Sequence, residues 1–256
     1  MASLTPPRQV PLWHGALWIR QGASTVLHSP VGWTTSLALW FAFILVCSLF
    51  PMLGPVFFSL SLPALFAGMM AGCAAVEQGR SLRIPHLLSG FKSSSRRLFQ
   101  LGMVNIAGET LLTLVLVLWG GQKMIDLQNL SLDGSGNLEQ LREALFSLTP
   151  LFITLVLLQL ALLMMGWFAP ALLRFTAMST LEALTLSTQG CLLNLPAFLL
   201  FTLIMGSLLA IATFLSFALP WISGLIGFFI VALIIASVYA SYRDVFHETP
   251  LPPITP

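Results

Sequence analysis

The chain has 256 residues, of which 57% are hydrophobic and 8% charged, with 11 Lys or Arg against 9 Asp or Glu and a formal net charge of +2. A soluble domain carries about 45–50% apolar and about 25% charged residues, so this chain cannot cover its surface for water. A soluble enzyme, a nucleic-acid-binding module and a disordered tail are excluded, and an all-α polytopic membrane protein remains.

Residues 1–29 read as an N-terminal tail with a helix lying at the membrane interface. Pro6, Pro7, Arg8, Pro11 and Arg20 interrupt any apolar core, so no cleavable signal peptide is expected. Leu12, Ala16, Ile19, Ala23, Val26 and Leu27 share one helical face, with His14, Gln21, Ser24 and His28 opposite. Residues 29–76 contain no Asp, Glu, Lys, Arg or His. One crossing of the hydrocarbon core takes about 20 helical residues. The stretch therefore fits two spans, about 30–50 and 56–76, around the turn Pro51-Met52-Leu53-Gly54-Pro55. Pro30 suits a first helical turn, and Pro63 should kink the second span.

A second amphipathic segment, about 84–97, sets Leu87, Leu88 and Phe91 against Lys92, Ser95 and Arg96. Span three follows at about 98–120 and is broken only by Glu109. The stretch 121–147 reads as an external loop. In it, Asp133-Gly134-Ser135-Gly136-Asn137 forms a turn, and Asn137 with Gln140 caps a short helix carrying Leu138, Leu141 and Leu145. A calcium loop starting at Asp133 would need Gly and Glu where Leu138 and Ala144 stand, so it is rejected. Span four is about 148–168, and a third amphipathic segment, about 171–189, holds Phe175, Met178, Leu181 and Leu184 against Thr176, Ser179 and Thr180. Spans five and six, about 196–218 and 222–242, turn at Pro220, and residues 247–256 form a Pro-rich tail. Residues 30–246 thus make one six-helix membrane domain.

Amphipathic helix, span, turn, span recurs three times. The pattern reads either as a parallel repeat or as what any membrane hairpin requires. With both termini cytoplasmic, nine basic residues fall inside against two outside, Lys123 and Arg142. Trp33, Trp119, Trp167 and Trp221 lie near span ends as interfacial anchors, whereas Trp40 is a packing residue. Cys47, Cys73 and Cys191 show no disulfide or metal spacing and read as buried small side chains.

Candidate chemistry is sparse. Glu109 is the one acid within a span; Asn105 lies a turn before it, and Gln159 should reach a similar depth on span four. These three could bind a proton, a cation or a polar headgroup, or Glu109 could simply join helices by a hydrogen bond. Arg80, Arg83, Lys92, Arg96, Arg97 and Arg174 are placed to contact lipid phosphates, although topology alone also explains such a cluster. Zinc, nucleophile-elbow and phosphate-loop motifs are missing, and no cofactor or metal is implied.

The run Trp167-Phe168-Ala169-Pro170-Ala171-Leu172-Leu173 leads to Ala183 and Ser187. Cys191-Leu192-Leu193-Asn194 follows, and Ser237-Val238-Tyr239-Ala240-Ser241-Tyr242-Arg243-Asp244-Val245-Phe246 closes the pattern. With Trp18 and Pro30 near the first span, it resembles a proteobacterial inner-membrane protein family of no established activity. The resemblance, best over about residues 165–246, implies roughly six spans in a bacterial inner membrane and transfers no catalytic residue. The expectation is a non-enzymatic component that binds a membrane protein or organises lipid, with no nucleic-acid partner. The alternative is a small transporter or channel using Glu109.

Overall fold

The structure, a computed structural model, describes residues 6–92, 95–132, 138–219, 221 and 223–247. The elements are α1 His14–Leu27, α2 Pro30–Ser48, α3 Gly54–Glu77, α4 Ile84–Lys92, α5 Ser95–Val115, α6 Gly121–Leu132, α7 Leu138–Trp167, α8 Ala169–Phe175, α9 Thr180–Leu193, α10 Leu195–Ala218 and α11 Ser223–Phe246. A π turn, Leu116–Gly120, joins α5 to α6. Six helical stretches are long and apolar enough to cross a membrane: Pro30–Ser48, Gly54–Glu77, Ser95–Asn129, Glu139–Phe175, Leu195–Phe217 and Ser223–Phe246. The expected turn at residues 133–137, Pro220 and the tail from 248 onward lie outside the described residues.

Two expected boundaries move. The stretch 121–147, read as a loop, is largely helical: α6 continues span three, and α7 begins ten residues before the predicted span. No proline or glycine occurs between Gln122 and Leu132, so nothing stops the helix there. The segment 171–189 is two helices. α8 ends at Phe175, and Ser179 restarts the chain as a capping box, its hydroxyl accepting from the Glu182 N–H while the Glu182 carboxylate accepts from the Ser179 N–H at 2.7 Å.

The chain divides into two compact units, Met1–Met103 with Met164–Pro256, and Val104–Leu163. In the first unit two short leading helices, α4 and α1, dock lengthwise on long ones. α4 runs antiparallel along α3, with Gly68 against the Leu87 carbonyl and Gly90 against the Ala64 carbonyl. A Cβ at either glycine would strike backbone, so this approach requires residues without one. α1 runs antiparallel along α11, with Gly22 against the Ser237 backbone and His14 against Asp244. α9 packs on the end of α7. There the Ser187 hydroxyl accepts from the Phe168 N–H at 2.9 Å and donates to the Met164 carbonyl at 2.7 Å.

α4 thus takes the second helix of the first hairpin, and α1 that of the third. Polar joints tie the leading segments as well. Ser29, before α2, accepts the Leu82 N–H at 3.0 Å from the segment leading to α4. Arg97, at the start of α5, donates to the Thr176 and Met178 carbonyls at 3.0 and 2.6 Å in the segment leading to α9. Asn194, before α10, accepts the Val10 N–H at 2.7 Å from the segment leading to α1.

Within the chain, α1 packs on a face that carries its glycines. Gly15, Trp18, Gln21, Gly22 and Val26 are buried, whereas Leu12 and Leu27 are 55% and 68% exposed. Close helix packing selected the glycine face over the more apolar one. Trp33 and Trp167, expected as interfacial anchors, turn inward: Trp33 is 1% exposed, and the Trp167 indole donates to the Ser241 hydroxyl at 3.2 Å. Trp40 packs edge-on against Phe66. All three cysteines are buried and free.

The second unit is an antiparallel pair, α5 continuing into α6 against α7. Gly108 faces Leu162, Gly120 faces Leu151, and the Lys123 ammonium donates to the Ser147 carbonyl at 2.9 Å. These three points give one register along the hairpin.

Candidate functional site

The densest polar constellation lies in the first unit, on residues that periodicity did not single out. Asp244, in the last turn of α11, is 1% exposed. Its Oδ1 accepts from Arg8 Nη2 at 2.6 Å. Its Oδ2 lies 2.6 Å from His14 Nδ1 and accepts the Trp18 indole N–H at 2.8 Å. Ionised, it can only accept, so His14 donates through Nδ1. Arg8 Nε also donates to the Asp244 carbonyl at 2.5 Å, and the Arg8 N–H to the Val245 carbonyl at 3.0 Å. Asn194, fully buried, returns Nδ2 bonds to the Arg8 and Gly190 carbonyls at 3.0 and 2.9 Å. The N-terminal segment is thereby strapped across the end of α11 and the start of α10.

A second cluster lies nearby on α11. Glu77 Oε2 accepts the Tyr239 hydroxyl at 2.7 Å and Arg243 Nη1 at 2.8 Å. Around both, Phe168 packs against Phe198 and Phe246, and Tyr242 stacks on Phe175. An Asp–His pair is half of an acid–base arrangement. Here the carboxylate's other partners, Arg8 and Trp18, are donors too, so the group works as an ion-pair hub. Among the described residues, no group of three or more His, Cys, Asp and Glu side chains could hold a metal ion.

The sequence did carry a signal for this hub. Trp18, Asn194, Tyr239, Arg243 and Asp244 all belong to the pattern behind the family resemblance, and Glu77 closes a span in a chain with few acids.

The residues expected at membrane depth sit in the second unit. Glu109 and Gln159 are exposed and Asn105 is half-buried. The register sets Gln159 beside Leu112, about two residues of rise from Glu109. A groove of about 450 Å³ between the helices is lined by Leu112, Thr113, Leu116, Phe152, Leu155, Val156, Gln159 and Leu160. Glu109 and Asn105 lie one and two helical turns before Thr113.

The basic residues expected to meet lipid phosphates divide. Arg80, Arg83, Lys92 and Arg96 are exposed. Arg97 turns inward to the Thr176 and Met178 carbonyls, and Arg174 is half-buried with its guanidinium 5.9 Å from the centre of the Phe175 ring. Burial, reinforced by Arg80, holds the His86 imidazole below its ordinary range, and burial with Arg243 does the same to His247. At neutral pH, positive charge here comes from Arg and Lys alone.

Six long apolar helices and sparse charge define a multi-span integral membrane protein. The chain is similar to a probable inner membrane protein of Burkholderia thailandensis, 26% identical over 250 residues that cover 91% of this chain and 90% of the relative. No protein-family model matches the chain, and no solved structure matches it.

Proposed function

We propose that the protein is a non-enzymatic component of a bacterial inner membrane, with both termini cytoplasmic, that gathers anionic lipid headgroups at a basic cytoplasmic rim. The observation that carries this reading is charge segregation. Among the described residues, the first unit holds nine basic and three acidic side chains. Its three acids are engaged: Asp244 by Arg8 and His14, Glu77 by Arg243, and Glu182 in the Ser179 capping box. Arg80, Arg83, Lys92 and Arg96 are exposed, and among the described residues none of the four is in a salt bridge. Basic residues near a cytoplasmic membrane surface attract anionic lipid by about 1 kcal/mol each. The likeness to a probable inner membrane protein supports the location, and the bias of basic residues to one side supports the orientation.

The test is native mass spectrometry from mild detergent, with wild type compared against a chain in which Arg80, Arg83, Lys92 and Arg96 are all glutamine. Phosphatidylglycerol adducts on wild type that are lost in the variant support the reading. Equal adducts on both, or none on either, overturn it. A co-purifying protein subunit unaffected by the change points instead to a partner-binding role. Reporters fused at the N-terminus, after Leu132 and at the C-terminus check the topology. A cytoplasmic reporter after Leu132 would rule out the orientation.

A further inference from the structure

We propose that the cleft between the start of α2 and the segment leading to α4 seats the phosphate of one anionic phospholipid. The cleft has a volume of about 570 Å³, within the roughly 300–1,000 Å³ range of small-molecule sites. None of the residues lining it is acidic, whereas Arg83 and Ser81 lie on one wall and Ser29, Val31 and Gly32 on the other. The inference rests on the reading that anionic lipid gathers at the basic rim, and it names one built position there.

The donors that line the cleft lack acceptors. A serine before a helix ordinarily gives its oxygen to the N–H of the second or third helical residue. Ser29 stands at that position before α2 and makes no such bond; its Oγ accepts the Leu82 N–H instead, at 3.0 Å. Val31 and Gly32 are the residues such a cap would serve, and their N–H groups find no backbone acceptor. Ser29 is 5% exposed, and among the described residues its own hydroxyl proton has no acceptor either. A buried donor left unmatched is costly, so the cleft calls for a group that only accepts. Backbone N–H groups at a helix start, a hydroxyl and a guanidinium together suit a phosphate oxyanion. The lipid is the source that the surroundings favour. α2 opens a membrane span at Pro30, which puts the cleft at headgroup level. Val31 is 75% exposed and Leu27, just before the cleft, is 68% exposed, so apolar surface for acyl chains flanks the site, and a free anion would need none.

Native mass spectrometry of the full chain in mild detergent, with phosphatidylglycerol added, reads the site as one lipid retained at activation energies that strip the rest. Val31→Asp places a carboxylate at the second helical position, where it suits the helix dipole and takes the donors from within. Val31→Asn is the control of nearly the same shape without the charge. Ser81→Asp and Ser81→Asn form a second pair on the facing wall, at an exposed position outside any helix, and serve if the first pair fails to accumulate. Each aspartate variant should lower the retained lipid about tenfold, while its asparagine counterpart keeps it and the loosely held lipids are unchanged. Equal retention in the aspartate and asparagine variants overturns the proposal. So does a wild type that retains no lipid, or one that retains phosphatidylethanolamine as well as phosphatidylglycerol. Displacement of the retained lipid by millimolar inorganic phosphate overturns the lipid assignment in favour of a free anion. The rim reading fails separately: a chain with Arg80, Lys92 and Arg96 as glutamine and Arg83 intact should lose the loosely held lipids and keep the retained one.

Discussion

Three donors converge on the two carboxylate oxygens of Asp244, and all of them, Arg8, His14 and Trp18, lie near the start of the chain. Removing one partner of a buried ion pair is worse than never having built it, because the other charge is left stranded. Arg8 keeps 37% of its side chain exposed, so water softens that penalty. Asp244→Asn should cost about 2–3 kcal/mol, less than the roughly 3–5 kcal/mol typical of fully buried pairs. Thermal unfolding in detergent, read by intrinsic fluorescence, measures it, and the 1% exposed Asp244 leaves the buried Trp18 indole as the reporter that should redden when its partner weakens. An unchanged midpoint would mean that the strap is not held by charge. Asp244 itself was legible in the tail of the sequence. Its partners were not, because hydrophobic spacing reports which residues share a helix face and says nothing about which distant segment crosses it. Glu109 shows the reverse: the sequence marked it as costly in a span, and only the structure showed it exposed beside a groove.

For the helices, existence was legible and faces were not. The length of an uncharged apolar run fixes a span almost by itself, and α2, α3, α10 and α11 begin and end within four residues of expectation. The packed face of α1 was missed because close approach selects glycine. Gly22→Leu should therefore destabilise by about 2 kcal/mol or more, since overpacking against Ser237 shifts backbone rather than a side chain. Gly79, which has a positive φ and open space around it, is the natural control: Gly79→Asn tolerates that conformation and should be near neutral. The break before α9 was also readable, since Ser179 stands three residues ahead of Glu182. Ser179→Ala should cost about 1 kcal/mol. The Ser179 hydrogen bonds hold the Glu182 carboxyl below its ordinary range. The cap's contribution is then complete above the unfolded carboxylate pKa and fades as pH falls through the lower folded one. A midpoint difference between Ser179→Ala and wild type that narrows at acid pH, without vanishing, is the expected signature.

At the scale of the whole molecule, the chain separates its charge. The first unit is strongly basic among the described residues, whereas the second holds Lys123 and Arg142 against Glu109, Asp126, Glu139 and Glu143. That separation was visible in sequence as a bias between loops. The docking of α1 on α11 was not, because it joins segments far apart in the chain. Arg8 and Asp244 are 236 positions apart. Synthesis at about 5–20 residues per second would separate their appearance by roughly 10–50 s. Until α11 is made, Arg8, His14 and Trp18 wait without the carboxylate that holds them. Nascent chains released before Arg243 should leave residues 6–11 open to protease while full-length chains protect them, a difference that limited proteolysis of arrested membranes would reveal. The strap thus reports on the arrival of α11: it closes only once Asp244 has reached the membrane.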